Sequence, residues 1–134
     1  GMRVRGMESS PMGWGANLVV PVAGIADCYD ATVYGGLEFW IRGKAGSKVS
    51  VAIQSAQVRA LSRDLVGFWR GIVTVTGSWK KETIRFADLM IDYGAPPPFD
   101  VTKVTGLGFE PILDPMDATT RSFDFTIDNV AFVK

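Results

Sequence analysis

Near the end of the chain, the segment FDFTIDNVAF (residues 123–132) places two carboxylates, Asp124 and Asp128, between apolar side chains. Apolar and polar residues alternate with a period of two, which predicts a β-strand with one apolar and one polar face. Three interpretations of the two acids are open. They form a solvated strand face, or Asp128 ligates calcium, an ion that prefers hard oxygen ligands, or Asp124 accepts hydrogen bonds from the hydroxyl groups of a ligand.

A second polar face surrounds a tryptophan in the segment GLEFWIRG (Gly36–Gly43). If the apolar positions of this strand face a core, Trp40 points outward together with Glu38 and Arg42. A flat aromatic edged by groups that form bidentate hydrogen bonds suits a ligand with one apolar face and a polar rim. We therefore predict that Trp40 is a stacking platform with Glu38 and Arg42 at its rim. The alternative is that a loop covers this face and Trp40 packs in a second core.

The turn KAGS and the alternating segment KVSVAIQS (Lys48–Ser55) follow directly, which predicts a β-hairpin with the preceding strand. In such a hairpin Gln54 lies on the same face as Trp40 and joins the predicted rim. Trp14, in the loop-like segment MGWGAN, is a further candidate platform. Trp79, in contrast, is predicted to pack in the core.

The composition excludes several kinds of chemistry. The chain has no histidine, which removes the Ser-His-Asp and Cys-His catalytic arrangements and a common transition-metal ligand. Its 14 basic and 14 acidic side chains balance, so nucleic acid and membranes are not expected partners. No run approaches the roughly 18 apolar residues of a membrane span. Cys28, the single cysteine, cannot form an internal disulfide and is predicted to be inert and partly buried.

Strand-like segments follow one another along the whole chain, with hardly a helix between them. This pattern predicts an all-β fold, a two-sheet antiparallel β-sandwich or a barrel. A length of 134 residues predicts one domain that spans residues 1–134. The predicted strands cover residues 16–22, 36–43, 48–55, 68–76, 79–86, 101–110 and 122–133.

Four motifs in a fixed order resemble those of bacterial carbohydrate-binding modules with the galactose-binding-like jelly roll, in particular family 11-like modules and their unclassified relatives. The resemblance covers about residues 3–133. The motifs are YDATVYGGLEFWIRGKAG (residues 29–46), GSWKKETIRFADLM (77–90), FDVTKVTGLGFEP (99–111) and SFDFTIDNVAF (122–132).

The resemblance implies a jelly-roll β-sandwich that is not an enzyme. Such a module binds a polysaccharide or oligosaccharide in a shallow groove and brings an attached or partner glycan-degrading enzyme to its substrate. It implies an extracellular or periplasmic location, although no signal peptide is visible. Jelly rolls of this type often tie their first and last strands with calcium, which implies a structural ion at Asp128.

Two departures from the family pattern are visible. The acidic F-E-D-like segment of the usual first strand is not found, which leaves open whether that strand is lost, replaced or wrongly identified. Asn129 stands where the family commonly has a second Asp.

Two other functions stay open at this point. The first is a jelly-roll domain for protein interaction and assembly. The second is a small glycan-active enzyme that uses paired carboxylates, for example Glu38 and Asp124.

Overall fold

The computed structural model describes residues 1–7, 18–22, 28–56, 68–91, 98–113 and 122–134. These residues form nine strands and two short 3-10 turns, so the all-β prediction is confirmed. The 3-10 turns cover Phe86–Asp88 and Val101–Lys103. The strands are β1 (Met2–Met7), β2 (Leu18–Pro21), β3 (Gly36–Gly43), β4 (Lys48–Ser55), β5 (Trp69–Thr74), β6 (Lys80–Arg85), β7 (Met90–Ile91), β8 (Val104–Ile112) and β9 (Ser122–Val133).

The strands form two antiparallel sheets. Sheet 1 has the order β1-β9-β3-β6, and sheet 2 has the order β2-β8-β4-β5-β7. Every strand pair in both sheets is antiparallel. The predicted two-sheet antiparallel sandwich is therefore confirmed.

The core lies between the sheets and consists of every second residue of the central strands. Phe39 of sheet 1 meets Phe109 of sheet 2 edge to face, with ring centroids 5.3 Å apart. Each fully buried large apolar side chain contributes about 1.5–3 kcal/mol through its removal from water. The largest fully buried side chains are those of Phe39, Phe109, Phe125, Leu37, Ile41, Ile53, Leu107 and Ile127.

The predicted hairpin of β3 and β4 is wrong, because the two strands belong to different sheets. β3 pairs with β6 and β9, and β4 pairs with β5 and β8. The intervening turn is a corner of the sandwich. Its Gly43 and Gly46 N–H groups donate to the carbonyls of Thr76 and Val75 at 2.9 and 3.0 Å. Alternation of apolar residues is the same in a hairpin and at such a corner, so the sequence pattern did not distinguish them.

Two further differences from the sequence predictions concern β1 and Cys28. β1 was not predicted, and it pairs with the first half of β9 from Met2 to Met7. Cys28 is exposed, not partly buried as predicted. Trp69 is buried and contacts Phe99 at 5.5 Å between ring centroids.

Candidate functional site

The outward side of sheet 1 carries the candidate site, and we call it the polar face. Its residues alternate with the core residues of the same strands, so they point to solvent. They are Arg3 and Arg5 on β1, Asp124, Thr126 and Asp128 on β9, Glu38, Trp40 and Arg42 on β3, and Lys81, Thr83 and Arg85 on β6.

A small open depression on the polar face has indole rings in its wall. It has a volume of about 280 Å³ and is lined by Trp40, Trp79, Asp128 and Asn129. We call it the tryptophan slot. Its volume lies near the lower end of ligand sites, which run from roughly 300 to 1,000 Å³.

The strand register explains why these residues meet. Trp40 of β3 lies between Asp128 of β9 and Lys81 of β6. Trp79 directly precedes β6, opposite Arg42, because Lys80 pairs with Ile41. Both indoles are therefore brought to the surface by neighbouring strands of one sheet.

Each indole of the slot has a cation over its ring. The Arg42 guanidinium carbon lies 4.8 Å from the Trp79 ring centroid, and the Lys81 ammonium lies 5.8 Å from that of Trp40. Lys81 also forms an ion pair with Glu38 at 3.0 Å. Cation–π contacts of this kind contribute about 0.5–1 kcal/mol at exposed sites, and here they help to hold the two rings in place.

A β-bulge in β9 brings Asn129 into the slot. The register of β9 against β3 shifts between the partners of Glu38 and Trp40. At the bulge Asn129 adopts φ 50°, a left-handed conformation that asparagine tolerates better than most residues. Its N–H donates to the Asp128 carboxylate at 2.9 Å. Without the bulge, alternation would turn Asn129 toward the core, so the bulge is the reason that two consecutive polar residues line the slot.

Asp124 lies in a second depression on the same face. The Arg3 Nε donates to Asp124 Oδ1 at 2.8 Å, and an Arg3 Nη contacts the other carboxylate oxygen. The hydrogen bond from Arg3 lowers the pKa of Asp124, and the charges of Arg3 and Arg5 add to this, although burial acts in the opposite direction. The predicted hydroxyl acceptor is therefore already bound by a guanidinium.

We call this second depression the basic depression. It has a volume of about 400 Å³ and is lined by Arg3, Arg42, Gly43, Lys44, Gly77, Asp124 and Thr126.

Gln54 does not lie near Trp40, and its predicted place in the rim is wrong. Alternation along β4 was read correctly, since Val49, Val51 and Ile53 are buried. β4 belongs to sheet 2, however, so Gln54 points outward on the side of the sandwich opposite to Trp40. The other predicted platform, Trp14, lies outside the described residues.

Trp79 was predicted to be a core residue, and this is wrong. Its side chain is 37% exposed and borders the tryptophan slot. The alternation in the segment WKKETIRF already indicated that Trp79 faces outward. Trp79 shares its parity with Lys81, Thr83 and Arg85, whereas the buried residue of the strand is Ile84.

The surroundings of Asp128 bear on the predicted calcium site. The N-terminal ammonium group of Gly1 lies 3.6 Å from its Oδ2 atom. Among the residues that the structure describes, no three Asp, Glu, Cys or His side chains come together at a point. The described residues thus do not surround Asp128 with the several carboxylates that calcium sites use.

The outward side of sheet 2 differs from the polar face. Its centre is lined by small residues, of which Ser50 and Ala52 are buried. Large apolar side chains are exposed around this centre. They are Val19, Phe68, Ile72, Met90 and Ile112.

Within the described ranges, no helix has the length and apolar character that crossing a membrane requires.

Comparison with protein families gives one match over nearly the whole chain. A sequence model of the family described as carbohydrate binding domain 30 matches residues 3–134. A comparison with curated proteins finds no significant match.

Solved structures of carbohydrate-binding modules share the fold. The family 11 module of a cellulosomal cellulase of Clostridium thermocellum is 16% identical, with a TM-score of 0.57 over 98% of this chain and 86% of that chain. The family 11 module of the same organism in complex with a β-1,3-1,4-mixed-linked tetrasaccharide is 15% identical, with a TM-score of 0.55 over 98% and 87%.

A family 30 module has a higher identity but is longer than this chain. The module of another cellulosomal cellulase of Clostridium thermocellum is 25% identical, with a TM-score of 0.61 over 86% of this chain. This chain covers 66% of that module. The neighbours confirm the jelly-roll sandwich that the sequence motifs implied.

Proposed function

Because the chain belongs to the carbohydrate binding domain 30 family, and is thus a non-catalytic module that binds oligosaccharides or polysaccharides, we propose that the polar face of sheet 1 is its binding surface. The observation that carries this proposal is the tryptophan slot, in which Trp40 and Trp79 border one open depression. A sugar ring that lies against an indole buries its C–H groups there. Its hydroxyls are then within reach of Asp128 and Asn129.

The shape of the slot predicts weak binding. It is shallow and open, so a ligand keeps much of its surface in water, and few interactions offset the loss of its freedom. We expect dissociation constants on the order of micromolar to millimolar. Because one solved family 11 relative holds a β-1,3-1,4-mixed-linked tetrasaccharide, mixed-linked glucan is the first ligand to test.

We expect the substitutions Trp40→Ala and Trp79→Ala to weaken glucan binding, each by about five- to twentyfold, which corresponds to about 1–2 kcal/mol of lost stacking. Both indoles lie at the surface, so the melting temperature should change little in comparison. Calorimetric titration with mixed-linked glucan oligosaccharides measures the affinity, and thermal melting measures the stability.

The matched control is Phe68→Ala, which removes an aromatic ring of similar exposure (42%) from the outward side of sheet 2. It should leave the affinity unchanged. Full affinity in both tryptophan variants, together with loss in Phe68→Ala, would move the binding site to sheet 2 and contradict the proposal.

Family membership also removes the alternative of a small glycan-active enzyme. The chemistry of the polar face agrees with this. Catalysis of glycoside hydrolysis needs a carboxyl group whose pKa is raised, so that it holds a proton near neutral pH. The Arg3 guanidinium has the opposite effect on Asp124, because it lowers the pKa of that carboxyl.

We further propose that the module brings an attached or partner glycan-degrading enzyme to its polysaccharide, outside the cytoplasm. The support is that two of the solved neighbours are modules of cellulosomal cellulases. We expect the module to increase the activity of the enzyme on insoluble or dilute substrate, where it raises the local concentration of the enzyme.

A structural calcium ion at Asp128 stays a prediction. Calcium takes about six to eight oxygen ligands, and the described residues bring no group of three acidic side chains to Asp128. If the ion is bound, its addition after chelation raises the melting temperature of the wild-type protein but not that of Asp128→Asn. An unchanged melting temperature of the wild-type protein would contradict the predicted calcium site.

The second candidate function is contact with a protein, namely the enzyme that the module accompanies. The exposed apolar residues of sheet 2 favour it, because such residues in one area are typical of protein contact sites. The variant Ile72→Lys separates the two functions. It should weaken association with the enzyme and leave glucan binding intact.

A further inference from the structure

The polar face carries an excess of positive charge, although the whole chain is balanced at 14 basic and 14 acidic side chains. Among the described residues, six cationic groups belong to this face or to the turn at its edge, against three carboxylates. The cations are Arg3, Arg5, Arg42, Lys44, Lys81 and Arg85, and the carboxylates are Glu38, Asp124 and Asp128.

The excess is concentrated at the basic depression. Two of the three carboxylates are bound within the face, Glu38 by Lys81 and Asp124 by Arg3. Among the described residues, the lining of the basic depression holds three cations, Arg3, Arg42 and Lys44, and one carboxylate, that of Asp124. The described lining therefore has an excess of positive charge, in a recess large enough for a ligand group.

The guanidinium of Arg42 is held in position in this recess. It lies over the Trp79 ring at 4.8 Å from the centroid, so its planar fork has lost much of its freedom before any ligand arrives. A fixed guanidinium fork matches carboxylate and sulfate oxygens through paired hydrogen bonds.

The basic depression and the tryptophan slot lie side by side along the same strands. Arg42 follows Trp40 by two residues on β3, and Thr126 precedes Asp128 by two residues on β9. Two residues of a strand span about 7 Å at roughly 3.3 Å per residue. A sugar chain that passes through the slot along the strands thus continues over the basic depression.

We propose that the module binds an acidic polysaccharide, with the carboxylate or sulfate ester of one unit in the basic depression and a neighbouring sugar ring in the tryptophan slot. This rests on the proposed function, since it takes the slot as the sugar-binding site. It adds the class of polymer, which neither family membership nor the fold determines.

The test compares polymers that differ only in charge. Polygalacturonate is compared with its fully methyl-esterified form, and dextran sulfate with dextran, so that carboxylate and sulfate are distinguished. Affinity electrophoresis or calorimetry at low salt should show about three- to tenfold tighter binding of the charged polymer in at least one pair, since exposed ion pairs are individually weak. The preference should fall when salt rises from about 0.05 to about 0.5 M, because screening is then stronger.

Charge variants outside the slot locate the effect. Lys44→Gln and Arg5→Gln should reduce the preference for the charged polymer, measured as the ratio of its affinity to that of the uncharged polymer of the same pair. The matched control is Lys48→Gln, which removes an exposed charge from β4 in sheet 2. It should leave the preference for the charged polymer unchanged.

The outcomes separate the inference from the function on which it rests. Equal binding of charged and neutral polymers, with binding lost in Trp40→Ala, overturns the inference and leaves the proposed function standing. Charged polymers that bind Trp40→Ala as tightly as the wild type overturn it too, since the binding is then ion exchange at the surface. Absence of binding to every polymer, mixed-linked glucan included, contradicts both.

Discussion

At the scale of single residues, one ion pair connects the first strand to the last. Arg3 of β1 holds both carboxylate oxygens of Asp124 of β9, and the two strands are neighbours in sheet 1. Both side chains are partly exposed, so the pair contributes modestly to stability. Sequence reasoning identified Asp124 as an outward carboxylate but could not identify its partner, because 121 residues separate the two and β1 itself was not predicted.

We expect the contribution of this pair to depend on pH. The pKa of Asp124 is lowered in the folded protein, chiefly by the hydrogen bond from Arg3. The stabilisation is thus fully present above the pKa of the unfolded chain, about 3.9, and is lost as the pH falls through the folded-state pKa. The difference in unfolding free energy between wild type and Asp124→Asn should therefore be constant near neutral pH and shrink below about pH 4.

Urea unfolding at a series of pH values measures this difference. Arg3→Gln should give the same profile, and the double variant should be no less stable than either single variant, since all remove one interaction. A difference in unfolding free energy that grows as the pH falls would show that another group causes the pH dependence.

At the scale of elements, the alternation of apolar residues was a sound guide to which side of each strand is buried, but not to which strands are neighbours. It placed Trp40 on the outward side of β3 and Gln54 on the outward side of β4 correctly. It also implied that the two are adjacent, which the division of β3 and β4 between sheets contradicts. The parity of a strand is a local property, whereas pairing depends on the whole sandwich.

The bulge in β9 is a second feature that alternation could not predict. Asn129 has φ 50°, which costs most residues about 1–2 kcal/mol. We expect Asn129→Gly to keep the stability of the wild type within about 0.5 kcal/mol and Asn129→Val to lower it by about 1–2 kcal/mol, because a branched side chain opposes this conformation.

Chemical unfolding of the two variants measures the cost of the bulge, and glucan titration measures its role in the slot. Both variants lack the Asn129 amide. If Asn129→Val binds glucan more weakly than Asn129→Gly, the additional loss indicates that Asp128 has been displaced. Equal stability of the valine variant would show that the bulge is not strained.

At the scale of the whole molecule, the fold was more predictable than the site. Nearly every strand after residue 28 was located from alternation and turn residues. The number of strands left a two-sheet sandwich or a barrel open, and the family resemblance favoured the sandwich. The site depends on pairings between distant segments. Trp79 and Trp40 share a slot only because β6 and β9 flank β3. Arg3 reaches Asp124 only because β1 pairs with β9. Such long-range pairings leave no trace in local periodicity.

The place of β9 in sheet 1 also has a consequence for biosynthesis. β9 lies between β1 and β3, and it pairs with a strand far earlier in the sequence, since Met2 is opposite Ile127. Sheet 1 therefore cannot form until β9 has been synthesised, and until then β1 and β3 each expose an unpaired edge. The surface that we assign to sugar depends on this late strand, so a chain truncated before β9 would have no ability to bind glycan.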